Sequence, residues 1–394
     1  MSEKKIKVLH IITHLPIGGA QDNTLLTVER LDRKNFDVSL MCSPDGDWLQ
    51  RAQNIKNLNL IFVHELARKI QVLKDIIAFW KIYAIIKKDK YTIVHTHSSK
   101  PGVLGRIAAR LAGVPVVIHT IHGFPFHNYM RPIKRQFYIN IERTLSRFSD
   151  RIVTVSKLNL EKAIELKLAK PDKFVNIYSG IDFQKFDVAI DAAKKKASLG
   201  ILNGEKIVGM VGRLSEQKAP LDVVKAMPEV LRASPAVRFL IVGDGELRQK
   251  VLDLAKELDI ESKLTLLGFR EDVPELFRIL DVYVLTSLWE GLGRSLTEAM
   301  YTGRPVVATN VEGVPELVKT GKTGILVEPG DIGAISKAII KLLNDKKSAK
   351  EMGRKAAAAI GQVFTAEIMV KNLEELYQNL LKENLQNKHR WQST

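Results

Sequence analysis

What most constrains this chain is a rhythm that runs through it twice. In the first half, short β-rich apolar runs end in turn residues and give way to stretches of helical length: "IKVLHII", "FDVSLMC", "LNLIFV", "YTIVHTH", "VPVVIHTIH" and "DRIVTVS". Runs that stay apolar instead of alternating are the pattern of strands buried on both faces, and parallel strands need a crossover helix between them. The intervening segments supply it, among them Gln21 to Leu31 and the amphipathic "LKDIIAFWKIYAIIKKDKY". After "VNIYSGIDFQKF" the chain turns polar and lysine-rich between about Asp187 and Lys206. The rhythm then restarts with "KIVGMVGR", "VRFLIVGDG", "KLTLLGF", "DVYVLTS", "RPVVATN" and "TGILVEP". The fold class that follows is α/β: two doubly wound, Rossmann-like domains, residues 1–190 and 191–364, facing across a cleft. An amphipathic helix over 365–385 is expected to pack back on the first domain. A length of 394 residues suits two cores.

Other classes are set aside by composition. The single cysteine, Cys42, allows no internal disulfide and points to a reducing, cytoplasmic setting. The N-terminal apolar run is broken by His10 and His14, unlike a secretory signal, and "IIAFWKIYAII" is interrupted by Lys81 and is too short to span a membrane. Of the net charge of +16, most lies in the first half, where residues 51–150 hold 17 basic against 5 acidic side chains. Such a field suits an anionic partner, whether phosphorylated substrate, anionic leaflet or nucleic acid, or is simply a well-solvated basic surface.

Ligands of doubly wound sheets bind beyond the strand C-termini, so the chemistry is sought there. Gly18 and Gly19 in "HLPIGGAQDN" let backbone amides approach a ligand at a helix start, or simply make a tight turn. In "VGRLSEQKAP", Arg213 and Lys218 can converge on one diphosphate, Arg as a planar fork and Lys as a point charge, or are simply two basic residues of a solvated loop. "VGDGELR" reads first as turn chemistry. "EGLGRSLTEAM" sets Glu290 before a Gly291 to Gly293 turn and Glu298 in the helix after it. Ser295-Leu296-Thr297-Glu298 also spells a capping box, which needs no ligand. His119, His122 and His127 follow a strand, with no metal-binding spacing around them. Asp45 and Asp47 in "SPDGDW" read as an Asp-Gly turn in preference to a metal site.

Taken in order and spacing, "GGAQ", "HTIHGFPF", "VSK", "IYSGID", "GRLSEQK", "LLGFREDVPELF", "EGLGRSLTEAM" and "EGVPELV" closely resemble the retaining glycosyltransferases of family 4. These are nucleotide-sugar enzymes of the two-Rossmann-domain, GT-B architecture. The resemblance implies that Arg213 and Lys218 bind the donor diphosphate, helped by backbone at Gly19 and by Gly293, Arg294 and Ser295. It implies that Glu298 holds the ribose, that Glu290 contacts the transferred sugar, and that Gly268, Phe269 and Arg270 lie at the base. His122, in the family's T-x-H, would stand beside the reacting centre, with Gly18 and Gln21 on the acceptor side. Catalysis would rest on His122, Glu290, Arg213 and Lys218, with no metal and no cofactor beyond the nucleotide-sugar co-substrate. The family often has Gly after the lysine, where this chain has Ala219-Pro220.

The resemblance thus implies transfer of a hexosyl unit, with retained configuration, from a nucleotide-diphosphate sugar, UDP in preference to GDP. The acceptor would be lipid-linked or a polysaccharide, in cell-surface glycan synthesis at the inner membrane face. The basic first domain would hold that acceptor, with "LARKIQVLKDIIAFWKIYAIIKK" as a peripheral contact to anionic membrane, and no nucleic acid is expected. Two rival readings stay open at this level: a UDP-sugar epimerase of the same fold, and a non-catalytic nucleotide-sugar-binding or nucleic-acid-binding protein.

Overall fold

The computed structural model describes residues 5–67 and 69–392. The chain forms two compact units, one reaching to Gly180 and resuming at Ala366, the other Ile181–Thr365. The first is built on seven parallel strands: β1 (Ile6–Ile11), β2 (Phe36–Cys42), β3 (Asn59–Phe62), β4 (Ile93–His97), β5 (Val116–Ile121), β6 (Arg151–Thr154) and β7 (Phe174–Asn176), in the order β3-β2-β1-β4-β5-β6-β7. The second has six parallel strands: β8 (Lys206–Val211), β9 (Val237–Val242), β10 (Leu264–Gly268), β11 (Val282–Leu285), β12 (Val306–Thr309) and β13 (Ile325–Val327), ordered β10-β9-β8-β11-β12-β13. Each sheet reverses its winding once, between β1 and β4 and between β8 and β11. Doubly wound sheets open their ligand crevice at such a reversal.

Twelve of these strands are the apolar runs of the sequence. The thirteenth, β7, is a three-residue edge strand inside "KFVNIYSG"; the equally short edge β13 is wholly apolar, whereas β7 ends on Asn176.

The first unit ends at Gly180 and not at 190. Phe183 stacks on Tyr301 with centroids 4.1 Å apart, Phe186 packs on Phe277, and Arg278 donates to the Phe186 carbonyl at 2.7 Å. The lysine-rich stretch beyond is no linker. It forms the helix Ala192–Ser198, capped by the Asp191 side chain, with Lys195 ion-paired to Asp272 and Glu275. Its lysines gave it a linker's composition, but one of them anchors it.

The last helix, Ala366–Gln392, belongs to the first unit. Met369, Val370, Leu373, Tyr377 and Leu380 fall on one stripe and join Val8, Leu25 and Val38 in a buried cluster, while Glu374 accepts from the Asp32 amide at 2.7 Å. On the other face of that sheet, Leu9, Ile11, Val94 and Val117 pack under the helices Val72–Asp89 and Ser99–Leu111.

Candidate functional site

In the second unit the loops after β8, β9 and β11 are tied together by backbone. The amides of Gly212 and Leu214 donate to the carbonyls of Val242 and Asp244 at 2.9 and 3.0 Å, and the Leu247 amide returns to Leu214 at 2.9 Å. A side chain at Gly243 or Gly245 would overlap the Gly212 or Leu214 carbonyl, and Gly243 holds φ +130°. "VGDG" is therefore turn chemistry, used to brace the loop that carries Arg213. Arg213 itself is exposed.

The loop then makes a short 3-10 turn, Glu216–Lys218, and passes through Ala219 at φ 44°. That left-handed conformation costs a residue with a Cβ about 1–2 kcal/mol. Thr286, after β11, holds the strained peptide: its hydroxyl lies within hydrogen-bond distance of the Lys218 and Ala219 carbonyls, at 2.9 and 3.0 Å. The Leu288 amide bonds the Gln217 carbonyl at 2.8 Å, and Gln217 Nε2 donates to the Trp289 carbonyl at 2.9 Å.

These ties bring Lys218 and Glu290 into an ion pair. Glu290 is 6% exposed, accepts from the Ser287 hydroxyl at 2.7 Å, and donates its amide to Glu312 at 2.9 Å. Sequence reasoning had Lys218 and Glu290 but missed Ser287, Gln217, Thr286 and Glu312. The one available signal was the acidic residue opening "EGVPELV".

The capping box at Ser295 does not form. Gly293, at φ +95°, is the N-cap of the helix Arg294–Tyr301, so the helix starts one residue before Ser295 and leaves its hydroxyl inside the first turn. There Ser295 Oγ accepts from the buried Tyr283 hydroxyl at 2.8 Å. Burial pushes the Tyr283 phenol up, and the negative fields of Glu290 and Glu298 push it further. The charges of both glutamates of "EGLGRSLTEAM" thus act on one buried phenol, from opposite sides of the glycine turn in sequence.

At the end of β10, Gly268 adopts φ +66° and Phe269 is about half exposed. Arg270 grips Asp272 with both arms, at 2.8 and 2.6 Å. This grip is the largest cause holding the Asp272 carboxyl well below its ordinary range. Arg270 is a fixed element of the loop.

In the first unit Gly18 caps the helix Gly19–Arg30 in extended backbone, with Gln21 in the first turn. The Asp45 to Asp47 turn braces the approach to it: the Asp45 carbonyl accepts from the Leu15 amide at 3.1 Å, Asp47 Oδ2 from the Ile17 amide at 3.2 Å. Half-buried His122 follows β5, with Nε2 3.1 Å from His97 Nδ1. His119 points to the opposite face, bonds Thr96 Oγ1 at 2.9 Å and lies under Gly102, a core position. His127 is further along the loop, its ring 6.2 Å from Tyr129.

His10, His95 and His97 were not singled out by the sequence, yet they sit together. Burial pushes His10 down to about 3, with the positive field of Arg33 adding to it, and pushes His95, His97 and His119 well below the ordinary histidine range. Nitrogens of His10, His95 and His97 lie within 4.8 Å of one another, close enough to hold a metal ion. Their lone pairs and protons are already engaged: His10 Nδ1 with His97 Nε2 at 2.9 Å, His97 Nδ1 with His122, and His95 with Tyr377 and Thr120, each at 2.6 Å. A buried cation there would also face the field of Arg33.

The family 4 glycosyltransferase model matches residues 17–185, and the model described as glycosyl transferases group 1 matches residues 191–359. An Escherichia coli protein, the UDP-Gal:alpha-D-GlcNAc-diphosphoundecaprenol alpha-1,3-galactosyltransferase, is 36% identical over 349 residues, 88% of this chain and 90% of that one. The chain belongs to glycosyltransferase family 4. The family 4 chain is also 27% identical over 390 residues to the capsular polysaccharide biosynthesis glycosyltransferase CapM of Staphylococcus aureus, covering 97% of this chain and 99% of that protein. Among solved structures, Anabaena HepE in complex with UDP and glucose superposes with a TM-score of 0.84 at 22% identity, over 95% of this chain and all of that one. This likeness carries the GT-B fold.

The buried histidines give this family 4 enzyme a pH-dependent first unit. Their folded pKa lies below the unfolded value of 6.5, so below that pH the unfolded chain binds more protons and stability falls as pH falls. Each ring contributes at most about 1.4 kcal/mol per pH unit below that point. Thermal melts are expected to drop steadily from pH 6.5 to pH 5, and His119→Gln is expected to shallow the slope. A melting temperature flat across that range would show that the rings charge freely in the folded state.

Proposed function

We propose that the enzyme transfers a hexosyl unit from a UDP-sugar to a diphosphate-linked lipid, with retention of configuration and without a metal ion. The observation that carries this reading is the braced Lys218–Glu290 pair beside the Arg294–Tyr301 helix, with Glu298 in that helix. A diphosphate competes with Glu290 for the Lys218 ammonium, and Arg213 and the helix N-terminus add positive charge. Charge developing on the leaving diphosphate then meets fixed dipoles and cations, the role a metal would otherwise fill. Released by Lys218, Glu290 accepts from a hydroxyl of the sugar. Glu298 takes the ribose hydroxyls, and Gly268, Phe269 and Arg270 frame the base. Gly19 contributes backbone to the diphosphate, while Gly18, Gln21 and His122 serve the acceptor and the reacting centre. The E. coli relative's name supports UDP as the nucleotide and an undecaprenyl diphosphate as the acceptor anchor.

A thermal-shift panel of UDP, GDP and ADP with their sugars tests the donor, and selective stabilisation by UDP is expected. Glu298→Gln should weaken UDP binding by about 1–3 kcal/mol while leaving stability unchanged. Unchanged affinity would remove Glu298 from the site. An epimerised sugar formed from a UDP-sugar without acceptor would overturn transfer altogether.

The first unit further supports peripheral contact with an anionic inner leaflet. Among the described residues, no helix is long and apolar enough to cross a membrane. The helix Val72–Asp89 buries Ala78, Ile82 and Ile86 but leaves Val72, Leu73, Ile76, Ile77 and Trp80 exposed, beside Lys74, Lys87 and Lys88. Tyr129, Ile133 and Phe137 are likewise exposed near Arg131 and Lys134. Apolar side chains inside a basic rim suit an interfacial surface. Lys81 is paired with Glu65 at 2.6 Å and is less available. Charge reversal at Lys74, Lys87 and Lys88 together should abolish sedimentation with phosphatidylglycerol vesicles, and retained binding would refute the contact.

A further inference from the structure

Under the Ala366–Gln392 helix, one face of the first sheet carries a row of polar groups. His10 and His95 are register partners on β1 and β4, and His97 and Thr120 on β4 and β5. Strand alternation puts His95 and His97 on one face, with Thr120 and, two residues on, His122 in the same phase. The Tyr377 hydroxyl joins from the helix above. Every group is nearly or fully buried except His122, at the open end.

The row is made of four short links and one long one, between Tyr377 and His10, at the limit of hydrogen bonding. Thr120 Oγ1 meets His95 Nε2 at 2.6 Å, His95 Nδ1 meets the Tyr377 hydroxyl at 2.6 Å, and that hydroxyl stands 3.5 Å from His10 Nε2. His10 Nδ1 meets His97 Nε2 at 2.9 Å, and His97 Nδ1 meets His122 Nε2 at 3.1 Å. A neutral imidazole has one donor and one acceptor nitrogen, so each ring hands the direction of hydrogen bonding on unchanged. The polarity is therefore set at the ends.

At the buried end, His95 is the only partner of the Thr120 hydroxyl among the described residues. If His95 donated from Nε2, the Thr120 proton would be buried without an acceptor, a penalty larger than an ordinary hydrogen bond returns. With Thr120 donating instead, His95 donates from Nδ1 to Tyr377, Tyr377 to His10 Nε2, His10 from Nδ1 to His97, and His97 from Nδ1 to His122 Nε2. No donor in the row is then left over. Burial keeps the three inner rings neutral.

We propose that this one-way row fixes His122 as a neutral imidazole with its proton on Nδ1, so that it serves the reacting sugar as a hydrogen-bond donor and not as a base. His97 is the positioning residue that holds it so. The inference deepens the proposed function and rests on its reading that His122 touches the reacting sugar. No proton is transferred along the row during a turnover. Its effect is to decide which atom of His122 can donate.

Two measurements test it. In full-length protein labelled with 15N-histidine, imidazole NMR at pH 7.5 should show His10, His95 and His97 all protonated on Nδ1. Protonation on Nε2 in any of the three, or stoichiometric transition metal in the purified protein, overturns the row. For kinetics, UDP release is followed with UDP-galactose and a GlcNAc-diphospholipid. His97→Leu should lower kcat at least about tenfold with donor KM within twofold, because His122 loses its donor. His97→Asn, whose amide can replace Nδ1, should recover to within about threefold of wild type. In a His122→Ala background, His97→Leu should change nothing further. Equal losses in the Leu and Asn variants, or an undiminished effect in that background, overturns the positioning role. An unchanged kcat in His122→Ala would instead sink the reading of His122 itself while leaving the NMR result to stand. Variants that fail to fold leave the decision to the wild-type NMR experiment.

Discussion

The second unit's site depends on a charge pair built around a buried carboxylate. Glu290 is almost wholly buried, and an unpaired carboxylate there would be strongly disfavoured, so the chain must deliver Lys218 to it. Much of the surrounding backbone answers that requirement: the Thr286 hydroxyl against two carbonyls, Gln217 against Trp289 and Leu288, and two glycines behind Gly212 and Leu214. The strain at Ala219 is tolerated because these contacts over-determine its conformation. On the proposed reading, a site braced in this way exchanges one partner, a carboxylate, for another, a diphosphate, without rebuilding its loops.

The first unit solves a different problem by related means. On one face of its sheet it buries three imidazoles near the strand C-termini and satisfies them with one another, a tyrosine, a threonine and the half-buried His122. Such a network is costly if any member is missing, which ties Tyr377, in the last helix, to the polar interior of a sheet formed from the first 176 residues. The terminal helix is therefore part of the first unit's polar chemistry as well as of its apolar core.

Much of this was legible in the sequence, and what was not has identifiable causes. The central strands announced themselves because strands buried on both faces must be apolar throughout, and the short edge β13 is also wholly apolar, whereas the edge β7 ends its three residues on Asn176. The S-x-x-E pattern at Ser295 misled because the residue that stops the turn is Gly293, and only φ +95° decides where the helix begins. The polar stretch after Asp187 looked like a linker because charge composition cannot distinguish a solvated coil from a helix anchored by one lysine. The histidine row was invisible for a topological reason. His10 lies 85 residues before His95, and only the strand order β1-β4-β5 makes them neighbours.

The most direct test of the ion-pair exchange is calorimetric titration of UDP into the wild type, Lys218→Met and Glu290→Gln, with transfer rates measured alongside. Lys218→Met is expected to weaken UDP binding by about 1.5–3 kcal/mol, the worth of a hydrogen bond to a charged group. Glu290→Gln frees the lysine, so UDP should bind at least as tightly as to the wild type while kcat for transfer falls. Equal loss of UDP affinity in both variants would contradict the exchange and leave the pair a structural buttress.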